Sequence, residues 1–485
     1  MQHPPAPSRN SLGSSSVVVA AFVGPGTVLT CASAGVEFGY SLGWVLVFAT
    51  AAVFILQSFT AATGILARQG LAEAIRTTQG GPVFSIAARV LVVLGLWIGC
   101  ASFELGNLVG AASGLANVVG GDIPMHWYVL GLAVSAGIML LLDIRVLIRV
   151  LSVMVALMGV LFLIAACVTP IDWSAAMSGM LVPSIPEDSI LKVAALIGTT
   201  VVTYNLFLHA STTREFWQRE PDTRRAWFQE LKGMAIFIPL GGAVSLAIML
   251  CGASLSNSDA YVTSGMQQMR AQLMQQQLDQ ANQSTDPSPA TVQRLKDMTA
   301  QLDQMLDQQR RGDEPDLDGF MAQHADFIPA RPKLKVGQFA ELIEPVAGRS
   351  AKYLFGLGLL AAGLTSAITA PLAAAAGISE LFSWEKNGTR FKLVWLSVLL
   401  TAVLFSLSKA VWPETSWSPL NMIIAAQAAN GLLLPLIAAF MLYLAARQKS
   451  LRLPKWYAAL GALVTVVCAG VGFKTLLWVW EQLSS

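Results

Sequence analysis

The chain has 485 residues, of which 54% are hydrophobic and only 12% charged. Soluble globular proteins carry about 25% charged residues, so the deficit excludes most water-soluble enzyme classes. Lys+Arg 31 against Asp+Glu 29 leaves a net charge of +2, which provides no basic face for nucleic acid.

Residues 1–14 lack a clustered basic region ahead of a short apolar core and read as a cytoplasmic tail. Apolar stretches then predict helices at 15–38, 41–66, 86–118, 126–143, 146–169, 190–212, 233–253, 351–382, 392–410, 417–446 and 456–481. A span needs about 20 residues. Open backbone polar groups are not tolerated in lipid, so helix is the only conformation available to segments this long. The expected fold class is an all-α polytopic membrane protein. Residues 15–169 hold five helices, 190–446 five more, and 456–481 an eleventh. Cys31, Cys100, Cys167, Cys251 and Cys468 lie in or beside apolar segments with no CxxC spacing, which argues against a disulfide framework or a zinc site.

Basic residues alternate between loops. Arg68, Arg76 and Arg89 follow the second span, Arg145 and Arg149 the fourth, and Arg214, Arg219, Arg224, Arg225 and Lys232 the sixth. The opposite loops, such as 120–126, are nearly free of Lys and Arg. This pattern predicts an N-terminus inside and a C-terminus outside. One polar insert, 254–337, falls on the outer side. Its residues 254–330 carry 5 basic and 11 acidic groups and 14 Gln. Met266, Met269 and Leu273, then Val292, Leu295, Leu302 and Met305, recur at helical spacing on either side of Asp286-Pro287-Ser288-Pro289. The expectation is a helical hairpin that covers the outer mouth or meets an extracytoplasmic partner. Thioethers are soft copper donors, but Met at this spacing reads better as a packing seam.

Polar and helix-breaking residues inside the spans point to function. Gly24-Pro25-Gly26-Thr27 interrupts the first span, as either a proline kink or a true break. A true break would place bare carbonyls and helix ends at mid-membrane, where they coordinate ions. Gly198-Thr199-Thr200-Val201-Val202-Thr203-Tyr204-Asn205 forms a polar, β-branched patch in the sixth span, with His209 four residues beyond Asn205. His209 reads equally well as a core histidine bonded to a carbonyl. Glu104 lies near the middle of the third span with Asn107 on its face. A carboxyl there must be protonated, paired or water-lined, either as a proton carrier or as a neutral acid bonded to a neighbouring helix. Asn421, Gln427 and Asn430 add amides in the tenth span. Glu37 falls at the outer end of the first helix, outside the site. His3, His126, His209 and His324 assemble no nucleophile–base or metal-ligand constellation, so no enzyme is expected.

These residues resemble the Nramp family of divalent metal transporters, from about residue 15 to 446 with the insert excepted. Gly24-Pro25-Gly26-Thr27 and Ala34-Gly35-Val36-Glu37-Phe38-Gly39-Tyr40 are similar to the family's Asp-Pro-Gly-Asn motif and its sequel. Gln69-Gly70-Leu71-Ala72-Glu73-Ala74-Ile75-Arg76 resembles the segment after its second helix. Asn205-Leu206-Phe207-Leu208-His209-Ala210-Ser211 resembles the end of its Met-Pro-His-Asn region. Phe339-Ala340-Glu341-Leu342-Ile343-Glu344-Pro345 and Gly363-Leu364-Thr365-Ser366-Ala367-Ile368-Thr369 resemble the approach to its eighth helix and that helix's middle. The resemblance implies the LeuT-like five-plus-five inverted repeat with eleven transmembrane helices.

Carried over residue by residue, it places the family's metal-binding aspartate at Gly24 and its asparagine at Thr27. The methionine falls on Val202, the adjacent histidine on Tyr204, a carbonyl donor on Thr199 and the tenth-helix glutamine on Gln427. Tyr204 and Asn205 complete the expected substrate site, and Thr27, Thr199 and Gln427 remain as metal donors. Glu104 and Asn107 stand where the family has an acidic pair in its proton route, and His209 where it has a histidine involved in opening and proton passage. A divalent ion losing water needs compensating negative charge, and soft ions favour a thioether. Gly24 and Val202 supply neither. The implied function is a secondary transporter moving a divalent cation with protons by alternating access, with no permanently bound cofactor, in a bacterial inner membrane. A carrier of a small polar solute, or a transport-inactive sensor or subunit, is the alternative.

Overall fold

The computed structural model describes residues 24–78, 82–120, 123–141, 145–255, 263, 266–267, 269–276, 289–311, 316, 319–320, 323–324, 336–386, 388–407, 418–447 and 455–484. The first helix, α1 (Pro25–Phe38), starts from an extended Gly24 (φ −86°, ψ 166°). Proline at the first helical position loses nothing, because that N–H would have no intrahelical partner. Residues 15–23 of the expected first span lie outside the described residues. The chain leaves α1 through Gly39, whose φ of +57° suits glycine.

There follow α2 (Gly43–Ile65), α3 (Leu71–Thr77), α4 (Pro82–Val119), α5 (Met125–Leu141), α6 (Arg145–Val168) and α7 (Trp173–Leu181). The expected sixth span is two helices, α8 (Ile190–Thr200) and α9 (Thr203–Phe216), interrupted at Val201-Val202. Then come α10 (Thr223–Leu255), α11 (Pro289–Arg310), α12 (Ala351–Phe382), α13 (Thr389–Ser406), α14 (Pro419–Arg447) and α15 (Lys455–Ser484). The short amphipathic helices α3 and α7 were not foreseen. Among the described residues nine helical segments are long and apolar enough to cross a membrane, counting α8 with α9 as one. The 14-residue α1 and the 17-residue α5 fall at the expected first and fourth spans.

Packing follows a symmetric plan. α1 lies against α10, α9 against α2, and α4 against α12. If α1 corresponds to α8–α9, α2 to α10 and α4 to α12, the first two pairings exchange and the third maps onto itself, as an inverted repeat requires. Lipid is as apolar as leucine, so van der Waals contact between small residues draws such helices together. Gly198 and Gly431 show how close the approach is. A Cβ on Gly198 would strike the Gln427 carbonyl of α14, and one on Gly431 would strike the Ala194 carbonyl of α8. The outer faces of α6, α13 and α15 expose Val153, Leu404 and Val466, an apolar belt suited to acyl chains.

In the insert, Met266, Met269 and Leu273 pack on Leu295, Met298, Leu302, Leu306 and Phe320, with Met305 alongside. Arg270 Nε donates to Asp303 Oδ1 at 2.6 Å across the two runs. The methionines are buried among leucines and form the expected seam. Val292 is part of α11 but not of that apolar cluster.

Replacing Gly431 by valine should separate α8 from α14 at an overpacking cost of about 1–3 kcal/mol. Thermal unfolding of detergent-solubilised protein should show a lower Tm for Gly431→Val, and no loss for Gly470→Ala on α15, where a Cβ meets nothing within 4 Å.

Candidate functional site

The start of α1 and the break between α8 and α9 meet inside the helix bundle. The Thr27 hydroxyl on the first turn of α1 lies 2.9 Å from the Thr199 hydroxyl near the end of α8. Both residues are buried. The break after α8 exposes carbonyls that no helix satisfies, and a buried unpaired carbonyl is costly. Asn430 of α14 meets this need. Its Nδ2 donates to Gly198 O at 2.6 Å and to Val201 O at 3.2 Å, and its Oδ1 accepts from Thr203 Oγ1 at 2.7 Å. One side chain therefore holds the end of α8 and the start of α9.

Gln427 lies one turn earlier on α14. Its amide sits between the glycine faces of α1 and α4: a Cβ on Gly26 would overlap Nε2, and one on Gly106 would lie 3.1 Å from it. Its Oε1 is buried without a hydrogen-bond partner. Among the described residues a Cβ on Gly24 would meet only Ser366 Oγ of α12, at 3.7 Å. Val202 is buried in the break, and its carbonyl accepts the Asn205 N–H at 3.2 Å. Tyr204 is buried with its ring edge-on to Phe103 of α4, centroids 5.4 Å apart. Asn205 is half-buried.

Glu104 follows Phe103, is fully buried, and has neither carboxyl oxygen in a hydrogen bond. Asn107 Nδ2, one turn on, is also buried and unpartnered. Leaving an unpaired carboxylate in such an interior is expensive, so this position calls for a proton, a cation or water as partner.

His209 lies apart from this cluster, further along α9. Its Nδ1 is 2.9 Å from Thr60 Oγ1 of α2 and its Nε2 is 3.4 Å from Glu230 Oε1 of α10. Glu230 is fully buried and accepts from Trp217 Nε1 at 2.9 Å. Beyond it, Arg214 joins Glu73 of α3 at 2.7 Å and Glu380 of α12 at 3.1 Å. Sequence reasoning noted Asn430 only as a tenth-span amide. It missed Glu230 because the stretch before residue 233 reads as a basic loop, although α10 begins at Thr223. Among the described residues no three His, Cys, Asp or Glu side chains are grouped to hold a metal ion.

A bundle whose sixth helical segment is broken, and whose broken end meets the first turn of α1 at paired hydroxyls, belongs to the LeuT-like class of membrane proteins. The family model described as natural resistance-associated macrophage protein-like matches residues 15–283 and 323–478, and the chain belongs to the Nramp family. The divalent metal cation transporter MntH of Burkholderia ambifaria is 27% identical over 253 residues, 49% of this chain and 54% of that protein. MntH of Verminephrobacter eiseniae is 28% identical over 255 residues, 50% and 55% of the two chains. The chain thus spans about half the length of the curated relatives it matches. Among solved structures, an Eremococcus coleocola manganese transporter in complex with an aromatic bis-isothiourea compound superposes with a TM-score of 0.63 at 18% identity. That match covers 97% of this chain and 88% of the other. The inward-facing structure of Mhp1 gives 0.51 at 14% identity over 98% and 92%. Both likenesses concern the fold.

Asn430→Leu should leave two carbonyls and the Thr203 hydroxyl unpaired, at about 1–3 kcal/mol for each stranded group. Its Tm should fall clearly below that of the parent protein; differential scanning of purified protein checks it.

Proposed function

We propose that the chain is a secondary carrier that moves a divalent cation across the membrane by alternating access, coupled to protons at Glu104. The observation that carries this reading is the Thr27–Thr199 contact between the first turn of α1 and the broken end of α8, in a bundle that also buries an unpartnered Gln427 Oε1 and the Glu104 carboxyl. The donors there are hydroxyls, an amide oxygen and backbone carbonyls, all hard and neutral. They suit a hard ion that keeps part of its water, and they offer a soft ion no thioether. Negative charge comes from Glu104, which gains it by releasing a proton as the cation arrives, so cargo and proton share one carboxyl. His209, with Glu230, supplies the next titratable station along α9. Gly24, Thr27, Thr199, Val202, Tyr204, Asn205 and Gln427 would line the substrate, with Thr27, Thr199 and Gln427 as direct donors and Asn107 steadying Glu104.

In this reading residues 15–169 and 190–446 are the two repeats and 456–481 an added helix. The N-terminus faces the cytoplasm of a bacterium, and insert 254–337 covers the outer mouth or meets a partner there. A second reading, a carrier of a small uncharged polar solute, draws support from the missing acidic cluster among the described residues.

Purified protein in sealed vesicles with an internal pH dye, offered Mn²⁺, Mg²⁺, Co²⁺ and small solutes, tests both. Divalent uptake with acidification supports the first; solute uptake with no divalent uptake favours the second; no transport leaves a sensor or subunit. Glu104→Gln should cut proton movement at least about tenfold, the scale of a lost general acid–base group, while folding is retained. Gly24→Asp should tighten cation binding about tenfold or more, as expected of one new charge in a partly dehydrated site. Calorimetric titration with Mn²⁺ checks it.

A further inference from the structure

The seam between α1 and α8 is polar well beyond the Thr27–Thr199 contact. About two helical turns along α8 from Thr199, on the same face, lies Lys192. It is only 6% exposed. Its ammonium donates to Ser33 Oγ at 2.9 Å and to Glu37 Oε1 at 2.9 Å, both on α1. The Ser33 hydroxyl passes its own hydrogen to the Thr30 carbonyl at 3.1 Å. Between this pair and the central contact, Thr30 is fully buried and its hydroxyl has no hydrogen-bond partner.

A lysine near the end of a span ordinarily extends its charge towards water. Lys192 instead folds inward over a carboxylate and a hydroxyl. Burying an ammonium is worthwhile only where oxygen donors replace its water. Lys192 thus marks a place built from hard oxygens to receive a positive charge, on the line from the Phe38 end of α1 to Thr27.

We propose that Glu37, Ser33 and Thr30 form an outer cation subsite that the protein's own Lys192 ammonium fills in this conformation, and that an arriving divalent cation takes Glu37 in exchange for Lys192. This rests on the divalent-cation reading and on the Phe38 end facing outward. The exchange swaps one cation for another, so Glu37 is never left bare. One carboxylate with neutral oxygens binds weakly, which suits a transit station that must release its ion inward.

Full-length protein in vesicles, assayed for Mn²⁺ uptake, and the same protein in detergent, titrated with Mn²⁺ and followed by electron paramagnetic resonance, test the exchange. Lys192→Met should lower the apparent KM about fivefold and add a second, weak Mn²⁺ per protein, the effect of freeing one charge-assisted ligand. Glu37→Gln should raise KM by about the same factor with the maximal rate kept within about twofold. The double variant should match Glu37→Gln and lose the second Mn²⁺. Lys192→Gln gives the same comparison if the methionine variant folds poorly, and Lys192→Arg should behave as the parent. Variants that change only Tm and maximal rate, or a double variant that keeps the gain in affinity, would overturn the proposal. Should the parent protein carry no divalent ion, the transport reading falls. The resonance titration then decides: Glu37-dependent Mn²⁺ binding in Lys192→Met upholds the subsite, and its absence overturns it.

Discussion

A peptide carbonyl in hydrocarbon must find a donor, and this protein breaks the α8–α9 segment where water is scarce. The bond from Asn430 to Gly198 O and Val201 O is what allows that break. Because the same amide also accepts from Thr203, it fixes the direction in which α9 leaves the break. Thr199 then points at Thr27, and Gln427, a turn away on the same helix as Asn430, arrives beside Gly26. The geometry of the central cluster follows from this one satisfied requirement.

Around it, the bundle divides its labour between close packing and buried polar pairs. Glycine faces draw α8 to α14 and α4 to α12, and these contacts hold little free energy in directional bonds. Charged groups sit where segments end: Lys192 and Glu37 towards one side, Arg214 with Glu73 and Glu380 towards the other. Each group ties together elements that are separate in sequence. Paired ions are ties that can be opened, because each partner can be rehydrated.

The cluster's chemistry is less acidic than the family resemblance implies. Gly24 brings no side chain and Val202 offers only methyl groups, so Glu104 is the one carboxyl near the meeting point among the described residues.

Much of this was legible in the residues alone. Apolar runs fixed where helices lie, since lipid leaves the backbone no other choice; the predicted 351–382 coincides with α12. The threonine-rich patch marked the α8–α9 break and Gly-Pro-Gly the start of α1, because β-branching and loss of a donor act locally. Side-chain pairing was not legible. Nothing in the sequence says that Asn430 faces Gly198, that Lys192 turns inward to Glu37, or that Glu230 inside a basic stretch is buried against His209. Those depend on which helix faces meet, and that is decided by glycine contacts spread over the whole chain. Sequence determined the class of fold and the position of the α8–α9 break; only the tertiary structure decided which polar groups became partners, because a buried donor is defined by what packs against it.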